Sequence, residues 1–151
     1  MAIIATHSPM KTLLIPLLLI TAGATDAHSQ VAVIAHKAVQ ADTLTQAQLL
    51  DYFTGDIKSW SDKTPVVVLD LKGQGEIKDS FYKLLGLTSS RMKSIWLKKL
   101  LLGEGEAPEA LKSEEEVVKK VASTPGAIGY VSRSKVNGDV KILRIVEKEK
   151  L

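Results

Sequence analysis

A chain of 151 residues with 45% hydrophobic and 25% charged side chains has the size and make-up of one ordinary globular domain, which excludes a largely disordered chain. The 20 Lys and Arg and 17 Asp and Glu give a formal charge of +3 with the two signs interspersed, so the clustered basic face of a nucleic-acid binder is missing. With no cysteine, disulfides, thiolate zinc sites and thiol nucleophiles are excluded, and the fold must rest on its core.

In chain order, Lys11 comes first, followed by an apolar run from Leu13 to Ile20 and small residues ending in Thr25-Asp26-Ala27. A basic start, an apolar run within the usual length of about 7 to 15 residues and a small-x-Ala site form a secretory signal peptide, too short to span a bilayer. The reading is a signal peptide over 1–27, cleaved after Ala27 or alternatively after Ala24, with Met10 as an alternative start. Its removal takes away one base, Lys11, and one acid, Asp26, so the charge stays at +3. Export to the periplasm is therefore expected, with a single α/β domain over 28–146 and a frayed charged tail over 147–151.

Val31 to His36 is a short β-branched run that predicts a buried strand. Thr45 and Gln48 form a capping box that opens a helix, Leu49, Leu50 and Phe53 give its apolar face, and Gly55 ends it. After a turn around Trp60-Ser61-Asp62, Val66 to Leu71 predicts a second strand buried on both faces, and the two strands with a helix between them suggest a parallel βαβ unit. A helix from about Ile77 turns Phe81, Leu84 and Leu85 inward and stops at Gly86. Thr88 or Ser89 caps the next, whose Met92, Ile95, Trp96, Leu100 and Leu101 recur at helical spacing as a core face.

Gly103 to Pro108 reads as a loop. Ser113 with Glu116 is a second capping box, opening a helix that buries Val117, Val118, Val121 and Ala122. Pro125-Gly126 breaks that helix before a strand from Ala127 to Val131, in which Gly129 permits a close approach, and a last strand runs from Val140 to Val146 after the Asn137-Gly138 turn. The alternation of strands and helices predicts one three-layer α/β domain, a mainly parallel sheet flanked by helices.

Several of these landmarks occur together in a known family: Leu44-Thr45 at a helix start, Asp51-Tyr52-Phe53-Thr54-Gly55 with Ile57 and Trp60 after it, Phe81-Tyr82, Trp96, and above all Thr124-Pro125-Gly126-Ala127-Ile128-Gly129-Tyr130-Val131. From about Val31 to Leu143 the chain resembles the periplasmic phosphate-binding subunit of bacterial phosphate ABC transporters. The resemblance implies a fold like one lobe of a type II periplasmic binding protein, in a family whose complete members hold the anion between two such lobes. It implies a non-catalytic protein, phosphate or another oxyanion as ligand, and an ABC permease as partner. The family's second lobe places an Arg and a Gly-Ser-Gly-Thr turn around the anion. Matching Gly73 and Gly75 to its glycines puts Gln74 at the Ser, Glu76 at the Thr and Asp70 at the Arg, with Asp70 and Glu76 then beside the expected phosphate. A shift by one residue gives Leu71, Gly75 and Ile77 instead.

From the residues themselves, the Gly73-Gln74-Gly75 turn before a helix, with Lys72 and Ser80 nearby, is the candidate anion site, because free N–H groups and the helix dipole attract an anion without any particular side chain. The alternative is a strand-to-helix turn that only needs glycine conformations. His36 has no partner at metal-ligand spacing, so no metal is assigned, and no cofactor is expected. Glu114, Glu115 and Glu116 fit the first turn of a helix, where carboxylates favour the dipole, and Lys98-Lys99 and Lys119-Lys120 are expected to face solvent. No nucleophile elbow or phosphate-transfer loop supports an enzyme. Two functions follow: a periplasmic solute-binding-like protein taking phosphate or another oxyanion, or a lobe that acts as an interaction module, docking a periplasmic protein or a second copy of itself.

Overall fold

The computed structural model describes residues 30–147. The expected signal peptide (1–27) and residues 148–151 of the expected tail lie outside them. The elements are β1 (Val31–His36), α1 (Gln46–Thr54), β2 (Val67–Leu71), α2 (Glu76–Leu85), α3 (Ser89–Leu101), β3 (Glu109–Leu111), α4 (Glu114–Ser123), β4 (Ala127–Ser132) and β5 (Val140–Val146), with a 3-10 turn at Arg133–Lys135.

Local hydrogen bonds explain where the helices begin. At α1 the Thr45 hydroxyl accepts from the Gln48 N–H at 3.2 Å, and the Gln48 side chain accepts from the Thr45 N–H at 2.9 Å, so the box closes. Thr88 caps α3 through the Arg91 N–H at 3.1 Å. The predicted box at α4 forms by half: Ser113 accepts from the Glu116 N–H, but the Glu116 carboxylate reaches back one residue further, to the Lys112 N–H at 3.0 Å.

The α/β class holds, while the sheet is mixed, with strand order β3-β2-β4-β1-β5. β2 runs parallel to β3 and β4, whereas β1 pairs antiparallel with both β4 and β5. The expectation of a mainly parallel sheet with β1 and β2 in one parallel unit is thus corrected, because β4 lies between them, parallel to β2 and antiparallel to β1. The physical reason is that a run such as Val31–Ala35, buried on both faces, has the same apolar pattern in a central antiparallel strand as in a parallel one. Burial encodes position in the sheet and carries no information on direction. The edge strand β3 follows the predicted Gly103–Pro108 loop and is too short, at 3 residues, to leave a periodicity of its own.

Helices cover both faces. A Cβ on Gly129 would come within 2.9 Å of Val117 and 3.5 Å of Val121, so α4 rests directly on the backbone of β4. The next residue, Tyr130, points to the opposite face and stacks on Phe81 of α2, with ring centroids 4.1 Å apart and planes at 13°, while Phe53 of α1 meets Phe81 edge-on at 4.7 Å. The three layers are therefore α4, the sheet, and α1 with α2. The helix α3 lies against α1, where the Trp96 indole N–H donates to the Phe53 carbonyl at 3.1 Å.

Two expectations for α3 are corrected. Leu100 and Leu101, assigned to the core, are 55% and 78% exposed. Lys99, assigned to solvent, has a side chain only 15% exposed and pairs with Asp56 at 2.6 Å. This helix carries apolar residues on more than one face, and spacing alone does not say which face the core takes.

Candidate functional site

The parallel strands β2 and β3 end side by side at Leu71 and Leu111, and the Lys72 N–H donates to the Leu111 carbonyl at 2.8 Å as both chains turn away. From those turns α2 and α4 start, so two helix N-termini open at the carboxyl ends of adjacent parallel strands, a position where α/β folds bind ligands. Between them lies a cleft of about 370 Å³. Three of the sequence candidates, Lys72, Gln74 and Gly75, line it. Gly73 belongs to the same turn with φ +76° but is not a lining residue, and Ser80 sits further along α2, half-buried and outside the lining.

The cleft also takes Lys78 from α2, and Lys112 and Ser113 from the start of α4. Sequence reasoning missed the last two because they reach the site through the β2–β3 pairing. The N-cap of α2 is Gly75, which supplies no capping side chain, whereas α4 is capped by its own Ser113. The Lys72 and Lys112 side chains are exposed at the mouth. That of Lys78 is committed inward, donating to the Leu71 carbonyl at 2.7 Å and lying 3.7 Å from Asp70.

Carboxylates stand at the same mouth. Glu114 accepts from both the N–H and the hydroxyl of Ser132, the latter at 2.6 Å. Glu115 pairs with Lys135 at 2.7 Å, and that hydrogen bond holds its carboxyl below the ordinary range while raising the lysine. Glu76, also a lining residue, adds a third acidic group.

Asp70 is not at this cleft. Its side chain is 14% exposed and lies on the face of β2 that carries α2, where it accepts from the Tyr82 hydroxyl at 2.5 Å and from the Tyr130 hydroxyl. Burial first, and then the Asp70 carboxylate, raise both phenols far above the usual tyrosine range, which keeps them as donors. Asp70 forms the polar end of a separate, mostly apolar groove of about 300 Å³ between α3 and β3, which includes Met92, Trp96, Leu97, Leu100 and Pro108. His36 accepts the Ala38 N–H on Nδ1 at 3.0 Å and closes the turn after β1.

A mixed sheet covered on both faces, with helix starts gathered at the ends of its parallel strands, is a three-layer α/β fold. Among solved structures the fold is shared with phosphate-binding proteins. A protein from Clostridium perfringens, assigned as a phosphate ABC transporter substrate-binding protein and solved with bound phosphate, matches with a TM-score of 0.64 and 22% identity over 77% of this chain and 45% of its own. An ABC-type phosphate transport receptor from Vibrio cholerae matches with a TM-score of 0.62 and 20% identity over 76% of this chain and 45% of its own. PstS from Borrelia burgdorferi gives 0.56 and 17%, covering 76% and 47%. The chain thus spans less than half the length of these proteins. No family model and no curated protein matches it.

Proposed function

We propose that this chain is an exported, non-catalytic solute-binding-like protein whose cleft between α2 and α4 takes phosphate or another oxyanion, with Lys72, Gly73, Gln74 and Gly75 as the ligand-side turn. The observation that carries the reading is the meeting of two helix N-termini at the ends of β2 and β3, with Lys72 and Lys112 at the mouth. The inward turn of Asp70 removes one of the two carboxylates that an alignment on Gly73 and Gly75 would put against the anion. Lacking the arginine and hydroxyls of the resembled family, the site rests on backbone N–H groups, the helix dipole and lysines, so the expected affinity is weak.

The test is thermal unfolding at fixed ionic strength with phosphate, and with sulfate as control. Binding to the native state alone stabilises by about 2.7 kcal/mol when ligand is at a hundred times Kd. A phosphate-selective rise in Tm that disappears in Lys72→Glu/Lys112→Glu supports the reading, and equal curves in all conditions overturn it.

A second reading is a lobe kept for docking, on a periplasmic protein, an ABC permease or another copy. It draws support from the apolar groove between α3 and β3, which no other described element fills. A null result with both anions makes this the better reading.

A further inference from the structure

Four of the five large apolar side chains exposed among the described residues fall within six positions: Leu97 at 57%, Leu100 at 55%, Leu101 at 78% and Leu102 at 59%. At about 100° per residue, Leu97 and Leu101 lie roughly 40° apart on the crown of α3. Leu101 is turned away from Met92 and Trp96, the side chains through which the helix packs, Met92 being 5% exposed, while Leu97 and Lys93 stand at the rim of the α3–β3 groove. Lys93 flanks the leucine stripe on one side and Lys98 on the other, both exposed. The helix also carries Arg91 and Lys99 and contains no acid.

We propose that the outer face of α3 rests on an anionic lipid surface, with Leu97 and Leu101 entering the acyl boundary and Lys93 and Lys98 at the level of the phosphates. Apolar side chains between lysines on one helix face are what an interfacial helix requires, since the stems can follow the leucines inward while the ammonium groups stay with the headgroups. No described helix is long and apolar enough to cross a membrane, so the contact is one of lying on the surface. A second copy fits badly, because two such faces would set bases against bases. The proposal does not depend on anion binding in the α2–α4 cleft.

The chain has no cysteine, so Leu101→Cys accepts a single environment-sensitive thiol label, and Lys119→Cys, exposed on α4, serves as control. With vesicles of phosphatidylglycerol and phosphatidylcholine, the label at 101 should move to an apolar signal while that at 119 does not. Pure phosphatidylcholine should give no shift. Adding Lys93→Gln and Lys98→Gln should lower partition about tenfold or more, as high salt does. Reading the label locally separates α3 from any other segment of the full chain that meets the vesicle. A label at 101 that stays aqueous on anionic vesicles overturns the proposal, as does an equal shift at 119. A shift produced by an acidic amphipathic peptide and not by vesicles makes the face a protein-docking site and overturns it as well.

Discussion

Asp70 shows how much a single buried carboxylate organises. Both of its oxygens take a phenol, Tyr82 from α2 and Tyr130 from β4, and Lys78 lies 3.7 Å away, so one residue ties together β2, the central strand β4 and the helix above. The titration of those phenols gives a prediction with a definite sign. Their folded pKa values are raised above the ordinary value of 10.0, so below pH 10 both states hold the proton and stability is unaffected. As pH rises past 10, the unfolded chain ionises first and the folded state loses stability. Tyr52 is raised as well, by burial. Phenolate absorbance in an alkaline titration should therefore lack the full step near the ordinary tyrosine value and complete only together with the loss of circular dichroism. A complete titration at the ordinary value in a folded protein would show these hydroxyls to be open to water. The sequence held one clue to this arrangement, a lone acid inside the apolar run Val66 to Leu71. A family alignment set Asp70 beside the ligand, because an alignment fixes position along a strand, and the face follows only from which neighbours the strand acquires.

At the level of elements, legibility follows the range of the forces involved. Helix starts were readable at Thr45, at Thr88 or Ser89, and at Ser113, and in the structure the caps Thr45, Thr88 and Ser113 each satisfy an N–H three residues on. The close approach at Gly129 was readable too, as a small residue in an apolar strand. What stayed hidden needed partners far away in sequence: β3, which exists only through its pairing with β2, and with it the contribution of Lys112 and Ser113 to the cleft. The helix α3 is the sharpest case, since its apolar spacing fits a core face that includes Leu100 and Leu101, yet the core takes the face of Met92. Substitution separates the two. Met92→Ala should cost about 2–5 kcal/mol, as expected for deletion of a buried side chain. Leu101→Ser should change stability by no more than about 0.5 kcal/mol, as for an ordinary surface site. Urea unfolding of both variants checks this, and equal losses would place Leu101 in the core after all.

For the whole molecule, sheet order governs cooperativity. The strand β1 is buried from Val31 to Ala35, and its partners are β4 and β5, so Val31 meets both Ser132 and Val146. The sheet closes only across nearly the full length of the described chain, a topology of high contact order that folds slowly for its size. Removing everything after Gly138 strips β1 of one of its two ladders and deletes the buried Val140 and Leu143. Such a truncation should show no cooperative thermal transition. A sharp melt would mean that β5 merely decorates a sheet that is complete without it.

The place of β1 also bears on the life of the nascent chain. Of the described strands the ribosome makes this one first, and the two that enclose it, β4 and β5, come last. During synthesis its apolar residues have no lasting partner, and its exposed backbone is a template for aggregation until β4 and β5 emerge.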